Sequence, residues 1–374
     1  MKIPFNSFAT THPQLREEAI KTFENFYDSE YYILGNMVKN FEKQYAELSH
    51  TKHCIGVANG LDALHIALKV LGIGEGHEVI VPSNTYIATV LAISYVGAKP
   101  VFVEPRLDSY NLNPDAIEVA ITPRTKAIMP VHLYGQACEM EQIMQIAKKH
   151  NLFVIEDNAQ GHLATYNNKI TGSFGHINAT SFYPTKNLGA LGDAGAMTTD
   201  NEKWATDCTT YRNYGSQKRY YNEVIGLNSR LDELQAGLLS VKLKYLQAWT
   251  ADRQRIAKQY LQELQELQVW EDSGNLVLPK TVTNASHVYH LFVIRTSKRN
   301  ELQQFLADNG IGSLIHYPIP PHLQEAYKNL GYKKGDFPIA EQMAETCLSL
   351  PIYPYLKEEQ ISEVCDTIKK FFCN

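Results

Sequence analysis

From about residue 52 to residue 200 the chain alternates short apolar runs with amphipathic stretches. That rhythm predicts βαβ units feeding a mostly parallel sheet. Seven runs have the length and composition of strands: 54–58, 78–81, 100–103, 127–131, 152–155, 179–182 and 195–199. Segments 62–71, 88–96 and 140–150 between them carry helical spacing, the first opening directly after Asn59-Gly60. Ligands of such sheets collect at the carboxyl ends of the strands, where Asn59-Gly60 and Asp157 both fall.

After Asn228 the texture changes. Leu231, Leu234, Leu238, Val241, Tyr245 and Trp249 recur every three or four residues and predict one long helix. A strand at 290–295 and helices near 300–309 and 358–372 follow, which suggests a smaller C-terminal α+β domain. The division falls between a large domain of residues 1–248 and a small one of 249–374. Gly72-Ile-Gly-Glu-Gly76 follows a helical segment and precedes a strand, the reverse of a dinucleotide fingerprint, and reads as a turn.

The length of 374 residues suits two domains or one large α/β domain with an appendage. Hydrophobic residues make up 44% and charged residues 20%, which places the chain among soluble globular proteins. The net charge of -5, without long runs of either sign, argues against nucleic acid as a partner. Six scattered cysteines read as reduced thiols, and no window resembles a membrane span or signal peptide, so the expected location is cytoplasmic. His287 and His290 have metal-like spacing but no evident carboxylate or cysteine partner, so no metal site is expected.

Candidate chemistry centres on Lys186, between a strand-like run at 179–183 and a stretch of glycines and small apolar residues. Upstream, Leu152-Phe-Val-Ile-Glu-Asp157 ends an apolar run on a carboxylate. This pairing suggests pyridoxal phosphate chemistry: a lysine amine condenses with the cofactor aldehyde, while an aspartate keeps the pyridine nitrogen protonated. A lone lysine is more often a solvated charge and a lone strand-end aspartate a cap; the combination carries the reading.

Further motifs extend it: Tyr32-Ile-Leu-Gly35, Asn59-Gly-Leu-Asp-Ala63, Val81-Pro-Ser-Asn-Thr-Tyr86, Glu156-Asp-Asn-Ala-Gln160, Ser181-Phe-Tyr-Pro-Thr-Lys186, Asn228-Ser-Arg-Leu-Asp232 and His316-Tyr-Pro318. In this order they resemble the DegT/DnrJ/EryC1/StrS sugar aminotransferases over nearly the whole chain. The resemblance implies the aspartate aminotransferase fold (fold type I), with a large domain built on a seven-stranded, mostly parallel sheet.

It also implies a cofactor site. Gly60 and Leu61 would offer helix N-terminal amides to the phosphate, joined by the Ser181 hydroxyl. Tyr86 would lie against the cofactor ring, Gln160 would bond its phenolic oxygen, and Asn228 would reach across a two-fold dimer to the partner's phosphate. Tyr183, Arg219, Tyr220, His316, Tyr317 and His322 are the implied sugar-nucleotide contacts. His162 is the implied helper of sugar positioning. Relatives that aminate C3 usually continue with glycine after this histidine; here Leu163 follows, and a left-handed glycine could not simply become leucine.

The implied activity is amino transfer from L-glutamate, through pyridoxamine phosphate, to C3 of a dTDP-linked 3-keto-6-deoxyhexose for a polysaccharide or glycoside. Alternatives are amination at C4 of a 4-keto sugar, a related 3-dehydratase with histidine in place of Lys186, and a non-catalytic cofactor-binding regulator.

Overall fold

The computed structural model describes residues 1–267 and 276–373. Helices α1 (His12–Asp28) and α2 (Asn36–Leu48) precede the alternating region. There β1 (His53–Val57), α3 (Gly60–Val70), β2 (Glu78–Pro82), α4 (Ile87–Tyr95), β3 (Lys99–Val103), β4 (Thr125–Ile128), α5 (Met140–His150) and β5 (Phe153–Asp157) follow in turn. A small hairpin of β6 (Thr165–Tyr166) and β7 (Lys169–Ile170) leads to β8 (Ile177–Ser181) and β9 (Gly195–Thr199).

All seven predicted strands form and join one sheet in the order β1-β9-β8-β5-β4-β2-β3. From β3 through β8 the pairings are parallel, and β9 runs antiparallel to both its neighbours. Alternation along each strand feeds two layers. Val79 and Val81 of β2 face a cluster with α3 and α4, while Ile80 joins Ile143 and Ala147 of α5 on the other side. Because β9 reverses direction, segment 182–194 leaves the carboxyl end of β8 and returns along the same edge, which is where β5 delivers Asp157. The glycines between β1's first helix and β2 form turns, with Gly72 and Gly76 at positive φ.

Helix α6 (Glu202–Arg212) and the hairpin of β10 (Ser216–Lys218) and β11 (Tyr221–Asn222) come next. The stripe read as one long helix is two, α7 (Glu233–Leu243) and α8 (Leu246–Glu263). Lys244 and Tyr245, at the break, both bind the Glu18 carboxylate of α1, at 2.5 and 2.7 Å. Periodicity could not register the break, because its two residues keep right-handed helical dihedrals and leave the stripe in phase.

Beyond it lie β12 (Phe292–Arg295), α9 (Arg299–Asp308), α10 (Pro338–Thr346), β13 (Cys347–Leu350) and α11 (Glu358–Cys373). Strands β12 and β13 pair antiparallel over a separate apolar cluster that includes Ile256, Tyr260, Phe292, Leu306 and Ile368, together with Ile3 from the N-terminus. Among the described residues no helix is long and apolar enough to cross a membrane.

Helix α7 ties the N-terminal helices to the sheet. A Cβ on Gly237 would sit 2.7 Å from Met37 Sδ and Thr22 Cγ2, so only glycine permits this approach to α1 and α2. The buried Glu233 carboxylate accepts from the amides of Gly35, Met37 and Val38 at 2.9, 2.6 and 3.2 Å, supplying the cap that α2 lacks locally. Glu233→Ala leaves three donors without their acceptor and should cost about 2–3 kcal/mol. Thermal and urea unfolding measure it; a loss below about 0.5 kcal/mol would mean that water replaces the carboxylate.

Candidate active site

Strand β5 carries two adjacent carboxylates that the pleat sends to opposite faces. Glu156 is fully buried and accepts from His132 Nε2 (2.8 Å) and the amides of Gly172 (2.8 Å), Phe174 (2.6 Å) and Gly175 (2.8 Å). The Cys138 amide donates to His132 Nδ1, so the proton lies on Nε2, toward Glu156. Asp157 faces a cavity of about 530 Å3 at the carboxyl edge of the sheet. Its Oδ2 accepts from Thr89 Oγ1 at 2.8 Å, and its Oδ1 from the Ala159 amide at 3.1 Å. Thr85 hydrogen-bonds Thr89 in turn at 2.8 Å, one helical turn away.

Burial raises the pKa of Asp157, opposed by the Thr89 and Ala159 hydrogen bonds and the positive field of Lys186. Desolvation lowers Lys186 to about 8, with Asp157 opposing. The loop that presents Lys186 closes on itself: the Phe182 amide donates to Ala194, the Ala190 amide to Phe182, and the Lys186 amide to Tyr183, at 2.8, 2.7 and 2.8 Å.

The same cavity is lined by Gly60, Leu61, Tyr86, Gln160, Ser181, Tyr183, His316 and Tyr317, all expected from sequence. Asn59 caps α3 through the Asp62 amide at 2.8 Å, while the Gly60 and Leu61 amides find no acceptor among the described residues. A Cβ on Gly60 would lie 2.7 Å from that of Ser181, and one on Gly195 only 2.4 Å from the Asn59 carbonyl carbon. Backbone and hydroxyl donors therefore crowd one corner, which suits a phosphate. Gln160 is buried; its Oε1 accepts from the Tyr134 amide at 2.6 Å, and its Nε2 donates to Tyr317 at 3.2 Å. The half-exposed Tyr86 ring lies 5.2 Å from that of Tyr317.

Five expected residues stand elsewhere. His162 is buried behind β8, 3.2 Å from Thr180 Oγ1 and packed on Phe182; burial lowers it to about 3, so it is neutral and touches no cavity wall. Its implied part in positioning the sugar would therefore pass through Thr180, which lines the cavity. Leu163 keeps the left-handed backbone (φ 69°) despite its side chain, which packs between two apolar clusters and holds the strained turn. His322 is buried, bonded to Glu341 at 3.0 Å and packed on Phe337, and does not line the cavity. Arg219 and Tyr220 line a second depression with Tyr31, Tyr32, Tyr214 and Arg230, and Asn228 is exposed outside its own chain's cavity.

Sequence reading missed Thr85, Thr89 and His290. A threonine pair at helical spacing carries no signal before α4 docks on Asp157, and His290 offers only its metal-like spacing to His287. His290 lines the cavity with Nδ1 3.3 Å from Asn187 Oδ1, and burial holds it neutral, as it does His316, lowered to about 4.

Residues 13–369 match the DegT/DnrJ/EryC1/StrS aminotransferase family. The chain belongs to this family. Among its relatives, the dTDP-3-amino-3,6-dideoxy-alpha-D-galactopyranose transaminase of Aneurinibacillus thermoaerophilus is 48% identical, covering 99% of each chain. A pleiotropic regulatory protein of Geobacillus stearothermophilus is 45% identical over 100% of this chain and 99% of its own. The solved DesV of S. venezuelae, in complex with a ketimine intermediate, superposes with a TM-score of 0.95 at 43% identity, covering 99% of this chain and 98% of DesV.

As an aminotransferase of this family the protein takes pyridoxal phosphate as cofactor. The residues present fit it: free amides beside a hydroxyl for the phosphate, and a buried carboxylate at the cavity wall that has no arginine ion pair among the described residues and would suit a cationic ring nitrogen. A direct test is the pH dependence of Lys186 acetylation in cofactor-free protein, read by peptide mass spectrometry. The rate midpoint should lie near pH 8. Because Asp157 favours the ammonium form, Asp157→Asn should move the midpoint lower still; an upward move would contradict the electrostatics.

Proposed function

We propose that this aminotransferase moves the amino group of L-glutamate to C3 of a dTDP-linked 3-keto-6-deoxyhexose. The observation that carries the reading is Lys186, with its lowered pKa, lining one cavity with the buried Asp157 and the Gly60, Leu61 and Ser181 donors. The regiochemistry and nucleotide rest on the similarity to the Aneurinibacillus transaminase and to DesV.

Pyridoxal phosphate, when bound, supplies an electron-withdrawing ring that stores the amino group between the two half-reactions. The Lys186 amine, neutral in appreciable fraction near pH 8, accepts the proton from the substrate carbon at Nζ and returns it one step later. Asp157, pinned by Thr89, would hold the ring nitrogen in its protonated form. Gln160 Nε2 would offer a donor to the ring oxygen, and Tyr86 would lie against the ring. Neutral His290 and His316 provide hydrogen bonds without adding positive charge beside Lys186. The keto carbon must lie within reach of the Lys186 amine, so the anchors of the diphosphate and sugar decide which carbon reacts.

The active unit in this reading is a homodimer with shared sites. Exposed Asn228 supports it, as do the exposed rings of Phe23, Tyr27, Tyr32, Tyr214 and Tyr220. Arg219, on the exposed β10–β11 hairpin, would then serve the partner's nucleotide. The chain divides near residue 248; the distinct apolar cluster of its C-terminal part supports the division, although Ile3 crosses it. We place the enzyme in the cytoplasm, serving synthesis of a polysaccharide or glycoside.

Incubation with glutamate and a panel of dTDP- and UDP-linked 3-keto and 4-keto sugars, read by mass spectrometry, should give the 3-amino product. Amination of 4-keto sugars alone would overturn the regiochemistry, and cofactor binding without any turnover would favour the regulator. Lys186→Ala should lose at least about 1,000-fold in turnover with the fold intact. Mixed with Asn228→Asp, it should regain activity by subunit exchange, since one site of each heterodimer escapes both lesions. Verified exchange without recovery would place Asn228 outside the shared site.

A further inference from the structure

One buried cation has no part in the chemistry above. Lys242, near the end of α7, is 8% exposed, and its ammonium donates to the Gly189 carbonyl at 2.6 Å. No carboxylate pairs with it among the described residues, and burial alone lowers its pKa to about 8. An unpaired buried ammonium costs stability, and an apolar side chain of the same length would avoid that cost.

The carbonyl it holds lies three residues after Lys186. Seven residues earlier on the same helix, and therefore on nearly the same face, Gln235 Oε1 accepts from the Leu191 amide at 2.8 Å. From the opposite side, Asn187 donates to the Val288 carbonyl at 3.2 Å. Within the loop, Gly189 passes so close to Pro184 that a Cβ would lie 2.1 Å from its carbonyl oxygen. Segment 187–191 thus has little slack, and its two attachments to α7 fall on the glycine that permits the turn and on Leu191, two residues beyond it.

We propose that Lys242 is a positioning residue for Lys186: through the Gly189 carbonyl it holds the loop that aims the Lys186 amine at the cofactor carbonyl. The assignment rests on the role of Lys186 proposed above. Binding sites need their supporting contacts fixed to a fraction of an ångström, and a charge-assisted hydrogen bond supplies that where a neutral contact would not. It also accounts for a lysine at a buried position where methionine would suit the fold better.

The test compares Lys242→Met with Lys242→Arg in the full-length protein, with Lys242→Gln as a further variant should methionine prevent folding. Hydrogen exchange of amides 187–192 is measured with and without pyridoxal phosphate, beside cofactor affinity by absorbance titration and the thermal midpoint. In Lys242→Met, exchange of these amides should quicken and cofactor affinity fall, each by about tenfold, with an unchanged or higher thermal midpoint. Lys242→Arg should stay within about threefold of the parent, and Lys242→Gln, with a neutral donor, should lie between.

A lower thermal midpoint with unchanged local exchange and affinity would show an ordinary structural lysine and overturn the proposal. Unchanged values of all three would overturn it equally. If the parent protein forms no lysine-bound cofactor band, the Lys186 assignment fails, whereas a band that forms equally tightly in Lys242→Met rejects the positioning role alone.

Discussion

A carboxylate buried at the end of a central strand is expensive unless its surroundings compensate it, and Asp157 organises this active site for that reason. Two hydrogen bonds and the field of Lys186 leave its pKa raised, so the compensation is incomplete. In the function proposed above, a cationic ring nitrogen would complete it. Its neighbour Glu156, one residue earlier and on the other face, takes four donors and needs nothing more. One strand therefore ends in a structural acid and a chemical acid, separated by the pleat alone.

The rest of the site follows from how the chain reaches that carboxylate. Helix α4 brings Thr89 onto it, and α3 places its N-terminus beside β8 with a glycine at the point of contact. The antiparallel return of β9 folds the Lys186 loop over the same edge. Close backbone approaches at Gly60, Gly189 and Gly195 allow three segments to share a volume in which larger residues would collide. Helix α7 secures this arrangement from outside, through Glu233 to α2 and through Gln235 and Lys242 to the loop.

The cavity is bounded as well by segments distant in sequence. His290 and the His316–Tyr317 pair come from beyond residue 280, and Tyr317 reaches Gln160 across the junction. Movement of the C-terminal part would change the cavity's depth and the hydrogen bonding of Gln160 together. The exposed β10–β11 hairpin, by contrast, lines a separate depression, and Asn228 lies outside the Lys186 cavity of its own chain.

Local pattern determined much of this protein. Apolar runs bounded by turns marked all seven sheet strands, because strands covered on both faces must be apolar almost throughout. Motifs at strand ends located Lys186, Asp157, Gln160, Ser181 and the Gly60 turn, since groups there must lie at one edge of a parallel sheet. Only tertiary structure decided what depends on direction and docking. The break between α7 and α8 meets Glu18 of α1, and Thr89 gains meaning when α4 meets β5. His162 and His322 turn inward because burial and neighbouring partners, rather than residue type, choose where an imidazole points. Residue identity states what a side chain can do; only packing states what it can reach.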